Sequence, residues 1–251
     1  MRLTVIGCAG SFPAPASPAS CYLVEHDGTR IVLDLGNGAI GPLAARADLR
    51  GLDAIVLSHL HADHCMDLTA LYVARKNHPD GPPPPLAVHG PAGTRRRIAD
   101  AYRSAPGDPV DGLGRVYAFH DHAVEPVRIG PFEITVAPVV HPVPAFAIRV
   151  RAGGRSLAYS GDTGPCESLV ELSRGADLAL FEASFLTGPD NPPDLHLTAA
   201  QAGEHAARAG VPRLMLTHLV SWNDPRASMA QARDAFDGEV VMAVPGMEVE
   251  L

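Results

Sequence analysis

Ser58-His59-Leu60-His61-Ala62-Asp63-His64 puts four potential metal ligands within six residues, directly after the strand-like run Ala54 to Leu57. A loop between a strand and a helix can turn inward side chains that a regular element would send to opposite faces. Alternating histidines followed by an Asp-His pair therefore have the density to serve two adjacent ions. Three more residues of the same chemistry stand at the exits of predicted strands. His141 follows the strand ending near Val140, Asp162 follows Ser156 to Tyr159 through Ser160-Gly161, and His218 directly follows Leu214 to Thr217. Strand exits gathered at one edge of a sheet are where α/β proteins build sites, and a carboxylate there can bridge two cations. Taken singly, a histidine or a Gly-Asp-Thr after a strand is commonly a turn. Their joint occurrence with the dense motif points to a metal centre of His59, His61, Asp63, His64, His141, Asp162 and His218.

Working outward, short β-rich runs at Leu3 to Ile6, Tyr22 to Glu25 and Ile31 to Leu33 precede the motif. Beyond it, Leu68, Leu71, Tyr72 and Ala74 recur at helical spacing. They predict a helix over Met66 to Asn77, ended by Pro79 and the proline run Pro82 to Pro85. A strand at Leu86 to His89 and a helix from Ala92 to Tyr102 come next. The second half predicts strands near Val116 to Phe119, Phe132 to Val139, Ala145 to Val150, Ser156 to Tyr159, Leu178 to Glu182, Leu214 to Thr217 and Val240 to Ala243. Thr198 with Gln201 three residues on reads as a capping box, and Gly210 as the stop of that helix. Runs of strands punctuated by helices in two similar halves predict two packed sheets with helices outside, in a single domain spanning residues 1–251.

Composition narrows the function classes. A net charge of −8 with 20 Lys and Arg disfavours a broad basic face for polyanions, while leaving a small anionic substrate open. No apolar run approaches the roughly 18 residues of a membrane span, and the N-terminal segment lacks a hydrophobic region followed by a cleavage site, so the expected location is the cytoplasm. Cys8, Cys21, Cys65 and Cys166 form no C-x-x-C pair and are expected as reduced thiols. Cys65 and Cys166 read as packing residues. His26, His78 and His205 have no partner motif, and His120 and His122 imitate an H-x-H pair without a following Asp-His, as in an exposed turn. His89 precedes the Gly-Pro loop that should lie near the site. The basic run Arg95 to Arg97 reads as a solvated helix face.

With these blocks in place the chain resembles the metallo-β-lactamase superfamily, whose H-x-H-x-D-H signature is met by His59 to His64. Within it the ribonuclease Z-like branch is the nearest likeness. It is carried by Gly90-Pro91-Ala92-Gly93-Thr94, Ser160-Gly161-Asp162-Thr163, Glu182-Ala183-Ser184-Phe185, His196-Leu197-Thr198 and Leu216-Thr217-His218, in the family's order. The resemblance implies an αββα sandwich of two mixed β-sheets flanked by helices. It implies that His59, His61 and His141 bind one ion, that Asp63, His64 and His218 bind the other, and that Asp162 bridges them. Zinc is the ion it implies, with manganese or iron as alternatives, and it implies a homodimer. His196 would protonate the leaving oxygen with Glu182 orienting its ring, and Asp63 would share in catalysis. Two ions ~3.5–4 Å apart lower the pKa of a bridging water and stabilise both attacking and leaving oxygens of an in-line phosphoryl displacement.

The choice of substrate rests on one departure from that branch. Its tRNA-processing members insert a long arm between the second-motif histidine and the bridging aspartate, whereas His141 and Asp162 are 21 positions apart, with Ala145 to Val150 and Ser156 to Tyr159 filling the gap. Asp67 also stands where those members usually have Gly. The short form is similar to small bacterial enzymes of this fold that hydrolyse cyclic nucleotides. The expectation is thus a cyclic-nucleotide phosphodiesterase acting on cyclic AMP, its cleft closed by Ala14 to Ser20 and the proline-rich loop. A ribonuclease Z-like tRNA 3′-processing enzyme is the alternative. A di-iron redox protein would have Glu where His61 stands and an attached flavin domain. An exported β-lactamase commonly carries Cys at Asp162, and a metal-binding role alone leaves Glu182 and His196 unexplained.

Overall fold

A computed structural model describes residues 1–105 and 112–251. In chain order its strands are β1 (Arg2–Gly7), β2 (Cys21–His26), β3 (Thr29–Leu33), β4 (Ala54–Val56), β5 (Leu86–Gly90), β6 (Tyr117–Asp121), β7 (Val127–Ile129), β8 (Phe132–Pro138), β9 (Phe146–Ala152), β10 (Arg155–Tyr159), β11 (Leu178–Glu182), β12 (Arg213–Thr217), β13 (Glu239–Met242) and β14 (Glu248–Glu250). They form two seven-stranded sheets, ordered β14-β1-β2-β3-β4-β5-β6 and β13-β12-β11-β10-β9-β8-β7. Each sheet is mixed: β1 to β3 and β7 to β10 pair antiparallel, whereas β3 to β6 and β10 to β13 pair parallel.

Strand periodicity explains the layers. On β3, Ile31 and Leu33 face the other sheet, where they share a core with Val56, Ile148, Val150, Leu157, Tyr159, Leu180 and Met215. Val32, pointing the opposite way, packs with Ile55 and Val88 beneath helical Leu68, Leu71, Tyr72 and Ile98. On the second sheet, Ala158, Ala179, Phe181 and Leu214 pack outward against Leu169, Val170, Ala202, Ala206 and Ala232. Both faces of the central strands are thus buried, which is why they read as nearly continuous apolar runs. The αββα sandwich forms as expected, and no helix among the described residues is long and apolar enough to cross a membrane.

Some local expectations are corrected. The helix expected over Met66 to Asn77 runs Leu68–Lys76, but a further short helix, Ala62–Cys65, precedes it, so Asp63 and His64 sit on a helical turn rather than in a loop. Four residues are too few to display a 3.6-residue period. The helix expected from Ala92 begins at Thr94, because Gly93 is left-handed at φ 95°. The proline run does not close the site. It precedes β5, at the N-terminal edge of the parallel strands, where Arg75 donates to Pro84 O at 2.7 Å and to Leu49 O at 2.7 Å. The capping box at Thr198 and the left-handed Gly210 are present as expected.

At the C-terminal edge the chain is tightly fitted. Leu35 N donates to His64 O at 2.7 Å, and Asp67, where the branch commonly has Gly, accepts from Ile40 N at 2.8 Å. Gly36 lies so close beneath the motif that a Cβ there would fall 1.9 Å from Asp63 O. Gly36→Ala should therefore lose about 2 kcal/mol or more through overpacking against backbone. Gly41→Ala, in the helix Ile40–Ala44 with open space around it, should hold or slightly raise the melting temperature. Thermal denaturation of both variants checks this, and equal melting temperatures would contradict the packing described.

Candidate metal centre

The seven residues read from the sequence converge. His59 and His61 follow β4, Asp63 and His64 lie on the turn Ala62–Cys65, Asp162 follows β10 and His218 follows β12. His141 lies between β8 and β9. One group of ligand atoms comprises His59, His61, His141 and Asp162, and a second comprises Asp63, His64, Asp162 and His218; within each, all atoms lie within 4.8 Å of one another. Asp162 belongs to both.

The outer hydrogen bonds fix which ring nitrogen faces inward. Ser58 Oγ donates to Asp34 Oδ2 at 2.7 Å, so His59 Nδ1–H must donate to Ser58 Oγ at 3.0 Å. His64 Nδ1 donates to Asp34 Oδ2 at 2.7 Å, and His141 Nδ1 to Leu195 O at 2.9 Å. Ser184 Oγ donates to His218 O, leaving His218 Nδ1 to donate to Ser184 Oγ at 2.8 Å. In each ring the outer nitrogen holds a proton and the inner Nε2 of the neutral tautomer offers a lone pair. These lone pairs crowd together. His59 Nε2 lies 3.0 Å from His61 Nδ1, which lies 3.2 Å from His141 Nε2, and His64 Nε2 lies 3.1 Å from His218 Nε2.

Charge balance calls for the same thing. Asp34, Asp63 and Asp162 are three buried carboxylates in one cluster. Burial opposes ionisation of Asp162, yet the neighbouring His218, His64 and His59 hold its pKa well below the ordinary carboxylate range. Burial likewise opposes Asp63, and the facing His218 and His64 rings lower its pKa nonetheless. Burial lowers the pKa of His59, His61 and His141, which favours neutral, ligand-ready rings. His64 is the exception, held well above its ordinary value against burial by Asp162 and Asp34. Asp162 Oδ1 is buried and makes no hydrogen bond, although His64 Nε2 is 3.1 Å away. An orphaned carboxylate oxygen among facing lone pairs is what a cation satisfies, and the donor set fits divalent metal.

His196 and Glu182 adjoin this cluster. His196 Nδ1 donates to Glu182 Oε1 at 2.8 Å, and Glu182 is itself fixed by Thr163 N on Oε1 at 2.8 Å and Ser184 N on Oε2 at 3.2 Å. Burial works against a charge on His196, but the Glu182 carboxylate outweighs it and pushes the pKa up to about 9. The His196 ring stands 5.5 Å from that of His141 and 5.6 Å from that of His218. Its segment is pinned to Phe185 by Phe185 N donating to Leu197 O at 3.2 Å and Ala199 N to Phe185 O at 2.9 Å.

Three further residues matter here. Asp34, at φ 55°, accepts from Ser58 N, Ser58 Oγ, His64 Nδ1 and Tyr159 OH, at 2.6, 2.7, 2.7 and 2.6 Å. The sequence does carry a signal for it, since it follows strand Ile31 to Leu33 just as the ligands follow theirs. Ser184 carries no signal beyond lying between Glu182 and Phe185. Arg97 parts from the solvated run, half-buried with Nε donating to Leu60 O at 3.2 Å, while Arg95 and Arg96 are exposed. His122 is not an exposed turn residue: its Nε2 donates to Leu57 O at 2.8 Å. His120 is exposed and stacks on His89, and neither enters the clusters.

The chain is similar to known proteins along nearly its whole length. Residues 29–219 match the family model described as a beta-lactamase superfamily domain. An uncharacterised protein of Mycobacterium tuberculosis is 44% identical over 244 residues, covering 96% of this chain and 88% of its own. The probable metallo-hydrolase YhfI of Bacillus subtilis is 30% identical over 251 residues, covering 98% of each, and its crystal structure superposes with a TM-score of 0.87 at 28% identity over 100% of this chain and 99% of that one. A ribonuclease Z of Methanosarcina acetivorans is 29% identical, covering 100% of this chain and 98% of its own. The chain belongs to the beta-lactamase superfamily and is one of its metal-dependent hydrolases.

Proposed function

We propose that this hydrolase is a binuclear phosphodiesterase acting on small phosphodiesters, cyclic AMP among them. The observation that carries the reading is the membership of Asp162 in both ligand groups, next to a histidine primed as an acid. His59, His61 and His141 would hold one ion, Asp63, His64 and His218 the other, and Asp162 both, with zinc the ion that the imidazole and carboxylate set suits. Two such cations supply an activated water and neutralise the phosphoryl oxygens. The chain supplies the rest. Outer acceptors lock the rings so that no ligand must reorient as charge builds up. Glu182 holds His196 in one tautomer and favours its protonated form, so that the ring has a proton to give to the leaving oxygen.

Several features support a small substrate over a folded RNA. The chain between His141 and Asp162 is used up by the hairpin of β9 and β10, closed at Gly153-Gly154. The ribonuclease Z alignment runs over 308 positions, so that relative carries segments with no counterpart among these 251 residues. A cavity of about 480 Å³ beside His196 is lined by Asn191, Asp194, Gln201 and Glu204, an acidic surrounding unsuited to a polyanion. Processing of precursor tRNA is the second reading, favoured by the name of the Methanosarcina relative. The homodimer implied by the resemblance is part of the proposal.

His196→Ala should keep its metal but lose about 10²- to 10⁴-fold in rate on a cyclic nucleotide. The loss should shrink on an aryl phosphodiester, whose leaving group needs no proton. Equal losses on both substrates would mean that His196 positions instead of donating. The substrate itself is tested by kcat/KM for cyclic AMP and precursor tRNA under identical metal and salt. Cyclic AMP should be turned over readily and the RNA poorly, and the reverse ranking would establish the second reading.

A further inference from the structure

We infer that an apolar pocket beside His61 takes the purine base of the substrate, with Arg97 as the residue that recognises it. The assignment rests on the phosphodiesterase reading of the adjoining centre. The cavity is about 350 Å³ and adjoins the ligands on two sides, since Leu60 and His61 belong to the motif and Val143 and Pro144 to the loop that carries His141. Pro91 and Ala92, just after β5, complete a wall that is mostly hydrocarbon. Such a surface suits the flat face of an aromatic ring and disfavours a second phosphate, which would need polar partners on every side.

Arg97 is the charged residue of this pocket, and among the described residues only its Nε is hydrogen-bonded. Its Nε is committed to Leu60 O, but among the described residues neither Nη group has a hydrogen-bond or ion-pair partner. Two arginines close by differ. Arg96 pairs with Asp100 at 3.5 Å, as does Arg103 at 2.9 Å. The buried Arg75 spends both Nη groups on backbone carbonyls. A guanidinium kept half out of water without an acid, against an apolar cavity, is an unfilled donor site. Purines present an N7 acceptor for a single Nη–H, and their rings stack on the guanidinium plane. Phosphate at the metal ligands and base against Arg97 would place a nucleotide across His61.

The test is calorimetric titration of the metal-loaded protein with adenosine 5′-monophosphate and with ribose 5-phosphate, which lacks the base. Wild type should bind the nucleotide about 10-fold or more tightly than the sugar phosphate. Arg97→Leu, and Val143→Trp filling the pocket from the other wall, should bring the ratio towards one, whereas Arg96→Leu on the exposed face should leave it. A ratio near one in wild type, or one that Arg97→Leu does not change, overturns the assignment. Turnover of cyclic AMP by wild type separates the two ideas. If the ratio depends on Arg97 while no phosphodiester is cleaved, the pocket stands and the phosphodiesterase reading falls. If cyclic AMP is cleaved with no base-dependent affinity, the phosphodiesterase reading stands and the pocket falls.

Discussion

Beneath the candidate centre the Asp34 carboxylate, fully buried at the end of β3, accepts four hydrogen bonds, and they come from both sheets. Ser58 follows β4 of the first sheet, His64 lies on the helical turn Ala62–Cys65 just beyond it, and Tyr159 ends β10 of the second sheet. A carboxylate removed from water must be satisfied on several sides or be costly to bury. Here that satisfaction is the device that sets the site. The bond to His64 fixes its tautomer, the bond to Ser58 Oγ fixes that of His59 one step further out, and the bond to Tyr159 ties the two exits together. Asp34 adopts φ 55° to do this, and His218 sits at φ 56° across the site. Strained non-glycine backbone of this kind concentrates where the surrounding structure over-determines a functional geometry.

Much of this was legible in the sequence because metal chemistry leaves a dense local trace. The spacing of His59 to His64 and the position of His141, Asp162 and His218 after strands were sufficient to gather seven residues that the fold brings into two overlapping groups. Two packed sheets followed from runs of strands punctuated by helices in two similar halves, and the αββα arrangement from the family resemblance. What escaped is what short range cannot encode. The turn Ala62–Cys65 is shorter than the helical period, and the three-residue strands β7 and β14 show too little alternation to be read. Asp34 resembles any Asp before a glycine turn until its four donors are seen. Arg97 shares a run with two exposed arginines, and only the packing of its helix against Leu60 sets it apart.

The global charge and the local field work in opposite directions. A chain of net charge −8 does not attract polyanions at long range, yet its centre gathers buried carboxylates and inward lone pairs that only cations balance. On the proposed function, such a centre would draw a single phosphodiester by contact with its ions instead of by the field of the whole protein. The two cavities flanking it differ in kind, one mostly hydrocarbon beside His61 and one polar beside His196. That asymmetry suits a substrate with an aromatic end and a hydroxylated leaving end.

The central claim is that one carboxylate, Asp162, holds two cations at once. Titration of metal-free protein with zinc, read by calorimetry and by metal content after dialysis, tests it most directly. A shared Asp162 requires two ions per chain in the wild type and the loss of tight binding at both positions in Asp162→Ala, because each group forfeits the same ligand. One ion per chain in the wild type, or two retained by Asp162→Ala, would contradict it.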